Sequence, residues 1–457
     1  MLNPLYLNKL KNIVVLLIAV ILLSGCNIFN GNSNGEVINT IDDGRIQGDD
    51  ASKVIVWGLF ETGENLNPLF DSYEVALKEG DDNLQINIEY VQKDEDTYGD
   101  DLDSVLNDVD PNNSPDVFMI HSSWLNKYKS KISNVPKEII PESDVVNDFH
   151  SFLANDLIQN GQVVGVPLWV DMLALVYNRT YLLEDSGSTA ISNDWNQFLI
   201  QAQNMTKYDE SNKIIRSGFS AGQSENVEFS FELLDSLFLQ ARTKPLTSQT
   251  LNLPFGEDEK DKAQEVLDWY KSFSNGEKKT WDSSLKLDTA LFIEGKLASI
   301  VLPSWRILDI LQYKEEYDLD LDFAIAQLPQ LNPSATDLVS YPSYWIYVVS
   351  SDSQNSLSSH KLLKFIVSDD GQNLYHDKVI ENGREFSLLS PIKSIAETQA
   401  NESEYLKPYF EATKNGLRWS MSDGEEIRLE YEKLIKGEST IESLLEAIKN
   451  LNSPPSI

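Results

Sequence analysis

The stretch Asp288-Thr289-Ala290-Leu291-Phe292-Ile293-Glu294-Gly295-Lys296-Leu297-Ala298-Ser299-Ile300-Val301-Leu302 carries two different folding signals in a row. Asp288 to Glu294 reads as a helix, Gly295 as its stop, and Leu297 to Leu302 as a strand. The alternation recurs on both sides. Towards the N-terminus, Val54-Ile55-Val56-Trp57 is a short apolar run closed by Gly58, and Ile86, Ile88 and Tyr90 alternate with Asn87 and Glu89. Asp116-Val117-Phe118-Met119-Ile120 follows the turn cluster Asn112-Asn113-Ser114-Pro115 and reads as a third strand. Asp194 can cap a helix whose apolar face is Trp195, Phe198, Leu199 and Ala202. Towards the C-terminus, Leu362, Leu363, Phe365 and Ile366 mark another helix. Ser439 and Glu442 form a capping-box pair ahead of the face Ile441, Leu444, Leu445 and Ile448. Strands alternating with helices predict an α/β protein with largely parallel sheets.

The chain has 457 residues, enough for two or three domains or one large two-lobed body. Its 41% hydrophobic and 24% charged residues are those of a globular chain, not a polytopic membrane protein. A formal charge of -35 repels phosphate backbones, so nucleic acid is excluded as a partner. One cysteine and four histidines rule out an internal disulfide and Cys/His zinc ligation, and no cofactor or metal is expected.

Lys9 and Lys11 precede the apolar run Ile13 to Leu23, which ends at Ser24, Gly25 and Cys26. The run is too short to span a bilayer, and its positive flank and small-residue exit predict a secretory signal over 1–25. Leu23-Ser24-Gly25-Cys26 resembles the lipobox of bacterial lipoproteins. That resemblance implies acylation of Cys26 as the new N-terminus and an extracytoplasmic protein anchored to a bacterial membrane. Residues 26–52 are rich in Asn, Gly, Asp and Ser and read as a flexible tether, spanning roughly 30 Å as a coil.

Several segments, in order, resemble the bacterial extracellular solute-binding proteins of family 1, the maltose-binding-protein-like receptors of ABC importers. Gly165-Val166-Pro167-Leu168-Trp169-Val170-Asp171, running into Leu175-Val176-Tyr177-Asn178, is similar to the first interlobe crossover. Phe292-Ile293-Glu294-Gly295-Lys296-Leu297-Ala298 with Leu302-Pro303-Ser304-Trp305 is similar to the F-x-x-G-x-x-A … G-x-W segment, with Pro303-Ser304 where the family often has glycine. Ala326 to Pro329 and Tyr344-Trp345-Ile346-Tyr347-Val348 resemble the strand before the second crossover and the crossover itself. The helix from Lys361 to Ser368 and the terminal Tyr431 to Asn450 complete the set.

The resemblance implies a periplasmic-binding-protein-like fold of two hinged lobes with a ligand cleft between them. Lobe 1 is expected at 53–168 and 347–390, lobe 2 at 172–342 and 410–450, and the hinge crossovers at 169–171 and 343–346. It implies a monomeric receptor without catalytic machinery that captures a mono- or oligosaccharide and hands it to ABC permease subunits. A sugar needs aromatic plates for its C–H faces and buried hydrogen-bonding groups for its hydroxyls. Carried over from the family pattern, the ligand-binding candidates are Glu61, Trp124, Asp171, Trp305, Tyr344 and Trp419. Asp171 is also singled out by its own chemistry, because a carboxylate in an apolar segment needs a partner to offset its desolvation.

Other readings compete. Acidic and aromatic residues would also suit a polyamine in the same fold. Gly218-Phe219-Ser220-Ala221-Gly222 matches the G-x-S-x-G nucleophile elbow, which would make Ser220 the nucleophile of a secreted serine esterase with His360 or His376 as its base. Asp94 to Gly99 starts like a calcium loop but has Val105 where a bidentate Glu is needed, and reads as a solvated acidic turn.

Overall fold

A computed structural model describes residues 52–80, 86–107, 114–244, 252–276, 279–335, 338–421 and 424–452. The signal over 1–25, Cys26 and the tether up to residue 51 lie outside the described residues. The main strands are β1 (Ser52–Gly58), β2 (Ile86–Gln92), β3 (Val117–His121), β4 (Ile132–Ser133), β5 (Asp171–Asn178), β6 (Ser299–Pro303), β7 (Phe323–Gln327), β8 (Pro342–Ser343) and β9 (Trp345–Ser350). They form two principal sheets.

The first sheet has the order β2-β1-β3-β9-β4. β1 runs parallel to β2 and β3, connected by α1 (Gly63–Gly80) and α2 (Glu95–Leu106). β3 is apolar at Val117-Phe118-Met119-Ile120 and buried along that length, which suits a strand with a neighbour on each side. β9 enters antiparallel to β3, with Trp345 opposite His121. The acidic run at 94–96 opens α2: the Asp94 carboxylate accepts from the backbone N–H of Asp96 at 2.9 Å. Its acids thus complement the positive end of a helix.

In the second sheet β5 is central, buried at all eight positions, with β6 and β7 on either side and β8 against its first two residues. Every pairing here is antiparallel, so the expectation of largely parallel sheets fails for this half. The physical reason lies in connectivity. β6 and β7, joined by a helix, point the same way as in an ordinary crossover, but β5 lies between them running in the opposite direction.

The opening stretch folds as read. Helix α5 (Asp288–Ile293) ends in Gly295, whose φ of 68° is the left-handed value that stops a helix, and β6 follows. Pro303 then starts a helix (Ser304–Glu316) from extended backbone, φ -74° and ψ 164°, so no glycine is required there. Asp194 caps α3 (Trp195–Met205) by accepting from Asn196 and Gln197, and Trp195, Phe198 and Ala202 are buried. The terminal helix Ile441–Asn452 is capped by Thr440, whose hydroxyl accepts from the N–H of Ser443 at 3.2 Å, and not by Ser439. The preceding helix Gly424–Lys436 closes in a Schellman turn, with Gly437 bonded to Leu434 and Glu438 to Lys433, which shifts the new start by one residue.

The chain crosses between the sheets in two adjacent segments. Val166 bridges Tyr347 and, farther along, Asp171 pairs with Ser343.

Candidate functional site

A cavity of about 1030 Å³ lies where the strand ends of the two sheets face each other. This is at the upper end of the size range of small-ligand sites. From the first sheet come Phe60 and Glu61 after β1, Glu95 at the start of α2, His121 at the end of β3, and Trp345 at the start of β9. From the second come Asp171 and Leu173 of β5, Pro303 of β6, and residues of α6 (Ser304–Glu316), beginning with Trp305. Trp169 and Tyr344 line it from the crossing segments. Glu228, Phe229 and Glu232 come from the entry and first turn of α4 (Ser230–Ala241), and Arg384 from the loop after α7 (Asp369–Glu381).

Glu61 sits at the end of a tight loop in which Phe60 has φ 66°, an unusual value for a bulky residue. The Phe60 ring lies edge-on to Trp345, with centroids 5.4 Å apart. The Glu61 carboxylate is held from three sides. Oε1 accepts from Tyr375 at 2.7 Å and from Arg384 at 2.5 Å, and Oε2 from Asn65 at 2.7 Å. At the end of β3, the backbone N–H of Ser123 donates to His121 Nδ1, which fixes Nε2 as the protonated nitrogen facing the Ser343 hydroxyl at 3.2 Å. Burial, together with the Arg418 guanidinium, lowers the His121 pKa well below its ordinary value, so the ring is neutral.

Asp171 does what a buried carboxylate must. Oδ1 accepts from Met172 and Ser304 at 2.7 and 2.9 Å, and Oδ2 from Trp305 at 3.1 Å. It therefore caps α6 from across the sheet and fixes the residue that carries the indole. Burial pushes its pKa up to about 6 against the pull of those N–H groups. Trp305 is half-buried, with Phe229 edge-on at 6.1 Å and the Arg306 guanidinium 4.3 Å from its ring. Arg306 pairs in turn with Glu228 and, at 2.7 Å, with Asp309.

Of the six candidates, Glu61, Asp171, Trp305 and Tyr344 come together at this cavity. The Tyr344 hydroxyl donates to Asp156 at 2.5 Å and its ring packs against Phe152, so this residue borders the cavity without offering it a free O–H. Trp124 and Trp419 do not line it. Trp124 packs behind Trp345, edge to face at 5.3 Å, because the chain after β3 turns directly into a short helical segment. Trp419 is fully buried and donates to both oxygens of Asp235 at 3.0 Å.

Sequence reasoning missed Trp169, Phe229, Trp345, Glu228, Arg306 and Arg384. Trp345 had a signal: neighbours in a strand face opposite sides, so naming Tyr344 alone left its neighbour unassigned. Arg384 had none, since its partner Glu61 is 323 residues away.

Ser220 is buried in a segment after the strand Ile214–Arg216, and no helix starts until Ser230, so the strand–turn–helix of a nucleophile elbow is not formed. His360 bonds Ser356 and the carbonyl of Ser133, and His376 bonds Ser387 and faces Glu402. Neither is paired with Ser220. Among the described residues no cluster of three or more His, Cys, Asp or Glu is arranged to hold a metal ion, and no helix is long and apolar enough to cross a membrane.

Two α/β lobes linked by adjacent crossing strands, with a cavity at the facing strand ends, define a receptor that encloses a small solute. The chain belongs to the bacterial extracellular solute-binding proteins, whose family model matches residues 70–383, and an extracytoplasmic location follows from that membership. No curated protein matches the chain. Among solved structures, a cyclo/maltodextrin-binding protein complexed with maltotetraose is 16% identical with a TM-score of 0.63, over 90% of this chain and all of the other. The sugar-binding protein MalE of Xanthomonas citri is 15% identical with a TM-score of 0.64, over 88% of this chain and 96% of its own. An ABC substrate-binding protein of Listeria monocytogenes in complex with cycloalternan is 16% identical with a TM-score of 0.62, over 88% and 98%. At these identities the likeness is one of fold.

Proposed function

We propose that this protein captures a carbohydrate, a mono- or oligosaccharide, by closure of its two lobes and delivers it unaltered to an ABC permease. The observation that carries the reading is the alternation around one large cavity of half-buried or buried rings, Trp169, Phe229, Trp305 and Trp345, with fixed hydrogen-bonding groups at Glu61, His121 and Arg384. Rings cover the C–H faces of a sugar, and preorganised polar groups reject analogues that leave them unpaired. The sugar-binding structures that share the fold support the same reading. Residues 53–168 with 347–390 form one lobe and 172–342 with 410–450 the other, hinged at 169–171 and 343–346. A lipid anchor at Cys26 holds the receptor at the membrane.

A thermal-shift screen of neutral and modified saccharides, polyamines and amino acids tests the solute class, because a ligand that binds only the folded state raises its melting temperature. Stabilisation by polyamines or amino acids with none by any saccharide would end the carbohydrate reading. For the anchor, Cys26→Ser is expected to move the protein from the membrane fraction to the soluble one. Unchanged fractionation would remove the anchor.

A further inference from the structure

The cavity is far more acidic than the protein around it. Nine of its 29 lining residues are Asp or Glu, against 72 of 457 in the whole chain, whereas only three, Arg306, Lys314 and Arg384, are cations. Most of that cationic charge is already engaged. Arg384 pairs with Glu61, and Arg306 is shared by Glu228 and Asp309. Lys314 stands in the last turn of α6, beside the exposed Glu315 and Asp318 at the rim.

Two carboxylates deeper in the cavity, one on each wall, keep oxygens that a guest's donors can reach. Glu95, half-buried at the start of α2, makes no ion pair among the described residues, and burial raises its pKa. Glu232, in the first turn of α4, is 8% exposed. Its Oε1 accepts from Arg428, which holds the group ionised despite its burial, while its buried Oε2 has no hydrogen-bond partner among the described residues. The two carboxylates share one neighbourhood: Glu95 feels the charge of Arg306, and Glu232 stands four residues beyond Glu228, which Arg306 binds.

Closing a cavity with nine carboxyl groups and three cations on a neutral guest would strip water from this excess of acid, which is costly, whereas a guest cation offsets it. We infer that the solute is an aminated carbohydrate, an oligosaccharide or pseudo-oligosaccharide carrying a protonated amine, with Glu95 and Glu232 as its counter-charges. The inference rests on the carbohydrate reading and narrows it.

Calorimetry on the folded protein, at slightly acidic pH and low salt, compares the glucosamine tetramer with its N-acetylated counterpart, maltotetraose and spermidine. The deacetylated tetramer is expected to bind at least about tenfold more tightly than either neutral tetramer, with the advantage shrinking at high salt. Glu232→Gln and Glu95→Gln should each lower the ratio of charged-tetramer to neutral-tetramer affinity at least about threefold, and an unchanged ratio in both overturns their role as counter-charges. Glu95 is the safer variant, since among the described residues its side chain makes no ion pair. Neutral tetramers binding as well as the charged one, or no binding of the charged one while maltotetraose binds, overturns the amine and leaves the carbohydrate reading standing. Binding of spermidine with none of any tetramer overturns both.

Discussion

Asp288, in the stretch where helix passes into strand, shows how one side chain makes stability depend on pH. Its carboxylate is buried and accepts from the backbone N–H groups of Thr289 at 2.8 Å and Glu228 at 3.2 Å, yet burial and the neighbouring Glu228 charge push its pKa up to about 7. The folded state therefore holds this proton more tightly than the unfolded chain does. The resulting stability is complete below the ordinary carboxylate pKa of about 4 and is lost as pH rises through about 7, by an amount on the order of a few kcal/mol. Asp171 and Asp235, raised to about 6, act in the same direction, while His150, lowered to about 4, acts in the opposite one. Asp288→Asn removes the largest of the raised carboxylates, so thermal melts between mildly acidic and mildly alkaline pH should show a flatter fall than in the parent protein. An unchanged slope would mean that Asp288 does not titrate in that range. At the cavity, Trp305→Ala is expected to weaken solute binding at least about tenfold, since one stacking face is lost. Unchanged affinity in calorimetry removes that residue from the site.

At the scale of elements, the first turn of α6 depends on a carboxylate from another strand. Asp171 of β5 accepts from the N–H groups of Ser304 and Trp305, so the ring at the cavity is placed by a residue 134 positions earlier. Asp171→Ala leaves those buried N–H groups without acceptors, at a cost of about 1–3 kcal/mol. Melting temperature and affinity should fall together in this variant, whereas Trp305→Ala should lower affinity with a smaller loss of melting temperature. A variant that binds normally after losing Asp171 would refute the positioning role. Signals confined to one element were legible in the sequence: Gly295 stops a helix by its own backbone freedom, and Asp194 caps one by its own side chain. Asp171 was legible only as a carboxylate in need of a partner. The partner, and the antiparallel entry of β5 between β6 and β7, depend on segments more than a hundred residues apart, which no local pattern encodes. The same reason separates the tryptophans. Trp124 and Trp419 look no different in sequence from Trp345, but the first packs behind the cavity and the second pairs with Asp235.

For the whole molecule, the question is what lets two walls move without unfolding either. β8 contributes only two residues to the pairing with β5, and the chain continues at once into β9 of the other sheet. A crossing this short can absorb rotation in a few backbone torsions while the longer ladders of both sheets stay intact. The charge distribution acts on the same motion. Nine carboxyl groups against three cations line the two walls, so bringing the walls together without a guest concentrates like charge, and this favours the open form until a guest with complementary charge or hydrogen-bonding groups shifts the population. Small-angle scattering should therefore record a smaller radius of gyration when a stabilising saccharide from the thermal screen is added, and a slight contraction of the free protein as salt screens the repulsion. A radius unmoved by a saccharide that does raise the melting temperature would mean that the guest enters a rigid pocket, and the crossings at 169–171 and 343–346 would then be fixed joints instead of hinges.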